Sequence, residues 1–205
     1  MSAELGKLLP LRRVTGEVAE LSDEALLAGC ATGDTAALGA LFDRFHVAVY
    51  RFLARLPTTD EAARDDLVQA TFLEVRRTAG KFRGGSAVKT WLLGVAANVA
   101  RHQLRGERRR RVHQAKYLEG LGDAATATPD ATPGAAIDRR RLMAQIADAL
   151  AQLPHDQQVA FALCDLEQLP GVDVARSLGI PEGTLWRRLH HARKAMRAAL
   201  AELER

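Results

Sequence analysis

The chain has 205 residues, 47% of them hydrophobic, which suffices for one large or two small domains and excludes a globally disordered protein. Lys and Arg number 29 against 25 acidic residues, a formal net charge of +4, so the balance alone selects no partner. Its distribution does: one basic cluster runs from Arg101 to Arg111 and another from Arg187 to Arg197, the electrostatic footprint of a polyanion partner.

Residues 1–21 are interrupted by Gly, Pro, Arg and Glu, hold no signal-peptide core and read as an N-terminal extension. Ser22 ahead of Asp23 and Glu24 predicts a helix N-cap with acids in the first turn, and Asp34 predicts the cap of the next helix. There Leu38, Leu41, Phe42, Phe45, Val49 and Phe52 recur at three- and four-residue steps, as one buried face requires, and Pro57 closes the helix region. A third helix is predicted over 60–79 and a fourth over 86 to about 110, with KFRGGS between them. The stretch LEGLGDAATATPDATPGAAID, at 118–138, is rich in Ala, Thr, Gly and Pro without large apolar periodicity and predicts a flexible tether. From Arg139 helices resume: one to Gln152, one from His155 to about Gln168, a short one, a turn, and a long basic one. The expectation is an all-α chain of two small helical domains, at 22–112 and 138–205, joined by a flexible linker at 113–137.

The longest mostly apolar run, WLLGVAANVA, is shorter than the about 20 residues of a membrane span, so no membrane insertion is expected. Cys30 and Cys164 lie far apart, form no CxxC pair and read as small buried residues of a reducing compartment, which points to a cytoplasmic protein. His46, His102, His113, His155, His190 and His191 make no metal-ligand pattern, and no nucleophile elbow or phosphate-cradling motif is present. No catalytic residue, metal or cofactor is expected.

In the C-terminal half VDVARSLG is a short helix ended by Gly179, suited to a left-handed C-cap, and Pro181 suits the first turn of the next helix. Short helix, tight turn and longer basic helix make a helix-turn-helix, with the basic helix second, as groove docking requires. On the helical wheel Leu185, Leu189, Ala192, Met196 and Leu200 share an apolar arc; Trp186, Arg187, His190, Arg193, Lys194 and Arg197 occupy the opposite one. Arg187 and His190 come early enough to reach base edges. Two readings fit this helix alone: a DNA reader, or a solvated bundle helix with Trp186 packed on a neighbour.

In the helix at 60–79, Val68, Phe72, Val75 and Ala79 form the buried stripe, while Asp66, Gln69, Leu73, Arg76 and Arg77 share another side. Leu73 is either a scattered exposed Leu or the anchor of a protein-docking face. The next helix is apolar around most of its circumference and leaves one polar strip, Thr90, Gly94, Asn98 and Arg101. Asn98 is either a satisfied core amide or part of a presented surface. An aromatic Gly loop, a polar strip and an arginine run together suit single-stranded nucleic acid, whose bases stack on aromatics while cations track the backbone.

Together DDLVQATFLEV, KFRGGSAVKTWLLGVAANVARHQLR and the segment from ALAQLPHDQQ to HHARKAM resemble a bacterial RNA polymerase sigma factor of the extracytoplasmic-function (ECF) group. The resemblance covers roughly residues 22–112 (sigma region 2) and 138–200 (sigma region 4). It implies promoter recognition and transcription initiation with core RNA polymerase and promoter DNA, duplex and melted, as partners. Asp66, Gln69 and Leu73 would dock on the β′ clamp helices. Phe82, Trp91 and Asn98 would hold a flipped base of the melted −10 element, Arg83 would join the −10 contacts, and Arg101, Arg105 and the arginines to Arg111 would follow the DNA backbone. Thr184, Trp186, Arg187, Arg188, His190, His191 and Arg193 would form the −35-contacting set, with region 4 also meeting the β flap. An anti-sigma factor is a further partner that the resemblance implies. Ala70, Trp186, Arg187 and His191 depart from the residues usual in the family at those positions. The rival readings are a helix-turn-helix regulator acting without the polymerase and a helical interaction protein. The paired upstream motif discriminates, because a plain regulator has no use for Gln69, Leu73 and the KFRGG loop together.

Overall fold

A computed structural model describes residues 17–57, 59, 61–118 and 146–203. Every regular element among them is helical: α1 (Glu17–Glu20), α2 (Asp23–Ala31), α3 (Thr35–Ala54), α4 (Arg64–Thr78), α5 (Val88–Leu118), α6 (146–151), α7 (His155–Phe161), α8 (Gly171–Leu178) and α9 (Glu182–Leu203). The fold is all-α in two helical parts, as expected. The N-terminal extension up to residue 16 and most of the expected tether, residues 119–145, lie outside the described residues.

The helix starts follow local chemistry. Ser22 Oγ accepts from Ala25 N (3.2 Å), and Asp34 Oδ1 accepts from Ala36 N and Ala37 N (2.8 and 3.2 Å), so amides with no intrahelical partner are satisfied at both N-termini. Beyond the end of α3, Thr59 donates its hydroxyl to Leu56 O, folding the chain back beside the buried Leu56. α5 does not stop near residue 110 but continues to Leu118, because the arginine-rich segment carries good helix formers and no Gly or Pro after Gly106 to end it.

In the first part α2, α3, α4 and α5 pack on one another. Leu41, Phe45, Val49 and Phe52 from α3 meet Val68, Phe72 and Val75 from α4 and Leu92, Val95 and Ala96 from α5 in one buried cluster. Phe42 meets Phe72 edge-on at 4.8 Å between ring centroids. In the second part α7 packs on α9, and α8 on both α9 and α5. The apolar arc of α9 is buried at Leu185, Leu189, Ala192 and Met196, but Leu200, in its last turn, is 39% exposed. The buried cluster is continuous from Leu26 in α2 to Leu189 in α9, so the two parts share one core.

Two details of the second part were not legible in the pattern. α7 runs on into one π-helical turn, Ala162–Leu166. Two residues past it stands Gln168, a non-glycine residue in the left-handed region at φ 55°. By contrast Gly179 takes that conformation without steric cost (φ 66°, ψ 35°). Ile180 N bonds to Ala175 O and Gly179 N to Arg176 O, the paired bonds of a Schellman end that sets the tight turn into α9.

Replacing Asp34 by Ala removes both side-chain bonds at the head of α3. The expected loss is about 1 kcal/mol of unfolding free energy, read as a lower urea midpoint at unchanged slope.

Candidate nucleic-acid interface

Three surfaces carry the residues singled out by sequence. On α4, Asp66, Gln69, Leu73, Arg76 and Arg77 are all exposed, Leu73 at 59%, opposite the buried Val68, Phe72 and Val75. Arg77 is engaged by Glu74, with Nε–Oε2 and Nη2–Oε1 both at 2.9 Å. Leu73 therefore stands as an apolar residue in a charged exposed row, an arrangement the core does not require.

The second surface is built by the loop after α4 and by α5. Phe82 and Trp91 are half-buried and meet edge-on at 5.7 Å and 65°, which anchors the loop to the helix. Arg83 is exposed and donates from Nη1 to Gly80 O at 2.8 Å; Arg105 is exposed one turn beyond Arg101. The polar strip of α5 is not left open. Thr90 is buried, and a Cβ at Gly94 would lie 2.8 Å from both the carbonyl oxygen and Oγ of Ser177 on α8. Asn98 Oδ1 accepts from Arg101 Nη2 at 2.6 Å, and both residues line a crevice with His155, Asp156 and Ile180 from the C-terminal half. Arg101 Nε is buried and has no acceptor, a deficit of about 1–3 kcal/mol for such a group. Asn98 is thus neither a core amide nor a free surface group: it lies between the two halves.

The third surface is the exposed side of α9. Trp186, Arg187, His190, His191 and Arg193 are exposed; Thr184 and Arg188 are half-buried. His190 and His191 meet edge-on at 5.8 Å. Trp186 is 47% exposed, and the six-membered ring of its indole lies against the start of α8: a Cβ at Gly171 would come within 2.5 Å of it. Of the two sequence readings, the packing of Trp186 on a neighbour is what the geometry bears on: part of the ring rests on α8 and the rest is exposed.

Sequence reasoning missed the acidic residues that engage these cations. Asp165, in the π turn, receives Arg193 through two bonds, Nε–Oδ2 at 2.9 Å and Nη2–Oδ1 at 2.6 Å, and this hydrogen bonding raises the Arg193 pKa further. Asp156, in the first turn of α7, receives Arg188 at 2.7 Å, with Arg101 Nη1 at 3.9 Å. Glu167 takes up Arg55 and Lys89, the latter at 3.1 Å. These partners are separated by 28 to 112 residues, so no local period signals them. Cys164 sits beside Asp165, and its thiol is pushed from 9.0 up to about 11, by burial first and then by the Asp165 charge. Among the described residues no group of His, Cys, Asp or Glu is arranged to hold a metal ion, and no helix is long and apolar enough to cross a membrane.

This geometry defines a two-part helical protein with a helix-turn-helix whose second helix is basic on its open side. The family models locate it further: residues 41–110 match Sigma-70 region 2, and residues 143–196 match Sigma-70, region 4. Along the whole chain it is similar to the ECF RNA polymerase sigma factor SigM of Mycobacterium tuberculosis, 34% identical over 184 residues, covering 90% of this chain and 87% of that one. It is also similar to the RNA polymerase sigma factor CarQ of Myxococcus xanthus, 35% identical over 164 residues, covering 80% and 89%. In fold it is similar to CnrH, solved in complex with the cytosolic domain of CnrY, at a TM-score of 0.60 and 23% identity over 88% of this chain and 97% of that one. The sigma factor RpoE of Bartonella quintana, solved with the anti-sigma factor NepR, gives 0.54 and 22% over 78% and 94%. The chain belongs to the ECF sigma factors, and its function is promoter recognition for RNA polymerase. The match at residues 41–110 is not that of a helix-turn-helix regulator acting outside the polymerase.

The raised Cys164 pKa has a chemical consequence. In the folded chain this thiol stays protonated at neutral pH, so alkylation by iodoacetamide is expected to be slow until the pH approaches about 11. In urea the same cysteine is expected to react as an ordinary thiol. Rapid labelling of the folded chain at neutral pH, located to Cys164 by peptide mass, contradicts the burial described.

Proposed function

We propose that the chain docks on core RNA polymerase through Asp66, Gln69 and Leu73 of α4, with Leu73 as the apolar anchor on the β′ clamp helices. The observation that carries this reading is the 59% exposure of Leu73 on a helix whose opposite face is buried. Around it, the sigma region 2 unit (22–112) holds the melted −10 strand, with Phe82, Arg83, Trp91 and Asn98 at the captured base and Arg101 and Arg105 on the backbone. The sigma region 4 unit (138–205) places α9 in the major groove of the −35 element through Thr184, Trp186, Arg187, Arg188, His190, His191 and Arg193, and meets the β flap. Promoter opening is then a matter of binding: the cost of extruding a base is offset by pocket contacts and by neutralised phosphates. The chain catalyses no bond-breaking step in this reading, acts in the cytoplasm on the nucleoid, and is held in check by an anti-sigma factor. The last point is supported by the neighbour RpoE, solved with NepR.

Trp186 presents the free part of its indole to a thymine methyl, an apolar contact where a cation would meet phosphate or guanine.

Two measurements test this. Leu73→Ala combined with Gln69→Ala is expected to weaken core polymerase binding by about 2 kcal/mol, roughly thirtyfold in Kd, at unchanged thermal unfolding; unchanged affinity rejects the docking face. For Trp186, uracil substituted for thymine across the −35 element removes only methyl groups. Wild-type holoenzyme is expected to lose about fivefold in affinity at one position, and Trp186→Lys is expected to read thymine and uracil alike. A wild type indifferent to the methyl makes Trp186 a packing residue only.

A further inference from the structure

We infer that the isolated chain holds itself in a closed, self-inhibited state, in which Glu167 and Asp156 lock the C-terminal half over the strand-capturing strip of α5. The inference rests on the reading of that strip as the −10 surface.

Closure excludes a strand sterically. Ser177 occupies the space directly above Gly94, at a distance that leaves no room even for a Cβ. Thr90 is buried, and the half-buried Asn98 and Arg101 line the crevice shared with α7 and the turn before α9. The stem of Arg176 lies over the KFRGG loop in the same way: a Cβ at Gly85 would meet its Cδ at 2.6 Å. A DNA strand on this strip and α8 on this strip are mutually exclusive.

Closure is held by charge. Glu167 reaches from the C-terminal half to two cations of the N-terminal half, Arg55 and Lys89, and its side chain is only 11% exposed. A carboxylate so enclosed keeps its attraction at physiological salt, where exposed pairs are largely screened. Its position is fixed from behind: Glu167 N bonds to Ala162 O at 2.9 Å, and the next residue, Gln168, is left-handed just past the π segment. Asp156 adds a second tie, with Arg188 of the −35 face at 2.7 Å and Arg101 of the −10 strip at 3.9 Å. One carboxylate thus stands where phosphates of both DNA elements would stand.

The same contact is built to be given up. Arg101 Nε is buried without an acceptor in the closed state, and a backbone phosphate would supply one. The α4 face is not involved, and Leu73 stays exposed. Polymerase can therefore engage the closed chain at α4 first, and opening follows as DNA competes for the cations. The apparent affinity for single strand is reduced in proportion to the closed population.

The test uses the full chain. Glu167→Gln removes the charge of the first tie at constant shape, and Ser177→Leu wedges α8 off Gly94 without changing charge. Asp165→Asn, which frees Arg193 within the C-terminal half alone, controls for added positive charge. Small-angle scattering reads the radius of gyration, and anisotropy reads binding of a short fluorescein-labelled single strand of mixed sequence. Expected are a larger radius and roughly tenfold tighter strand binding for Glu167→Gln and Ser177→Leu, with the wild-type radius for Asp165→Asn. A wild-type radius in both opened variants overturns the latch. Expansion without tighter binding overturns the masking of the strip. Core polymerase binding, measured on the same proteins, separates these failures from failure of the sigma reading, since a chain that never binds polymerase fails that reading whatever its radius.

Discussion

The arrangement of this chain depends on the crossing of α5 by α8 at Gly94. Only glycine lets the Ser177 backbone come this near, and only at that separation do Leu178 and Ile180 join the apolar cluster that begins in α2. A side chain at position 94 would lift α8, and with it the turn at Gly179 and the whole of α9. The glycine in the middle of a long helix costs about 1 kcal/mol of helix propensity. That cost is consistent with a residue kept for close approach, whether of α8 in the closed chain or of a nucleic-acid strand.

Charge explains why the crossing is specific. The net charge of +4 conceals a pattern in which acids of the C-terminal half face cations of both halves. Asp156, Asp165 and Glu167 lie within a short stretch of α7 and its π turn and between them engage Arg188, Arg193, Arg55 and Lys89. The π turn matters here: one extra residue in the helix changes the direction of the side chains that follow, and Asp165 and Glu167 lie in and just after it. Ion pairs of this kind add little net stability over an apolar alternative. Their contribution is to fix which surfaces meet, and to leave both partners charged for other uses.

Much of the fold was legible in the sequence because it is local. Ser22, Asp34 and Gly179 announce two helix starts and one helix end by chemistry within a few residues, and the stripes of α3 and α4 follow the 3.6-residue period. The exposed row of Asp66, Gln69 and Leu73 came from the same period. What was hidden depends on partners far along the chain. The strip of Thr90, Gly94, Asn98 and Arg101 was correctly separated from the two apolar faces of α5, but nothing within the helix says that α8 will cover it. The length of α5 was underestimated because its apolar period fades near residue 110, while the residue types that follow still favour helix and no Gly or Pro comes before Gly120. Leu200 was placed on the apolar arc because it continues the period, but the period does not say how far along α9 burial extends.

Trp186 shows how a local and a distant reading combine. Its place on the wheel outside the arc of Leu185 and Leu189 put it at the edge of the basic side, where an indole has no obvious use. The structure supplies a support: Gly171, at the first position of α8, has no side chain and leaves room for the ring. Seating the indole braces α9 against the start of α8, while the Schellman bonds at Gly179 set the other end of that helix. The two contacts hold the recognition helix at one angle to its partner. A Lys or Arg at position 186 would carry charge to the same side but would leave the seat at Gly171 empty, and a side chain at 171 would displace the ring. The residues at 171 and 186 are therefore coupled, and the tryptophan sets the presentation of its neighbours Arg187 and His190 as well as its own edge.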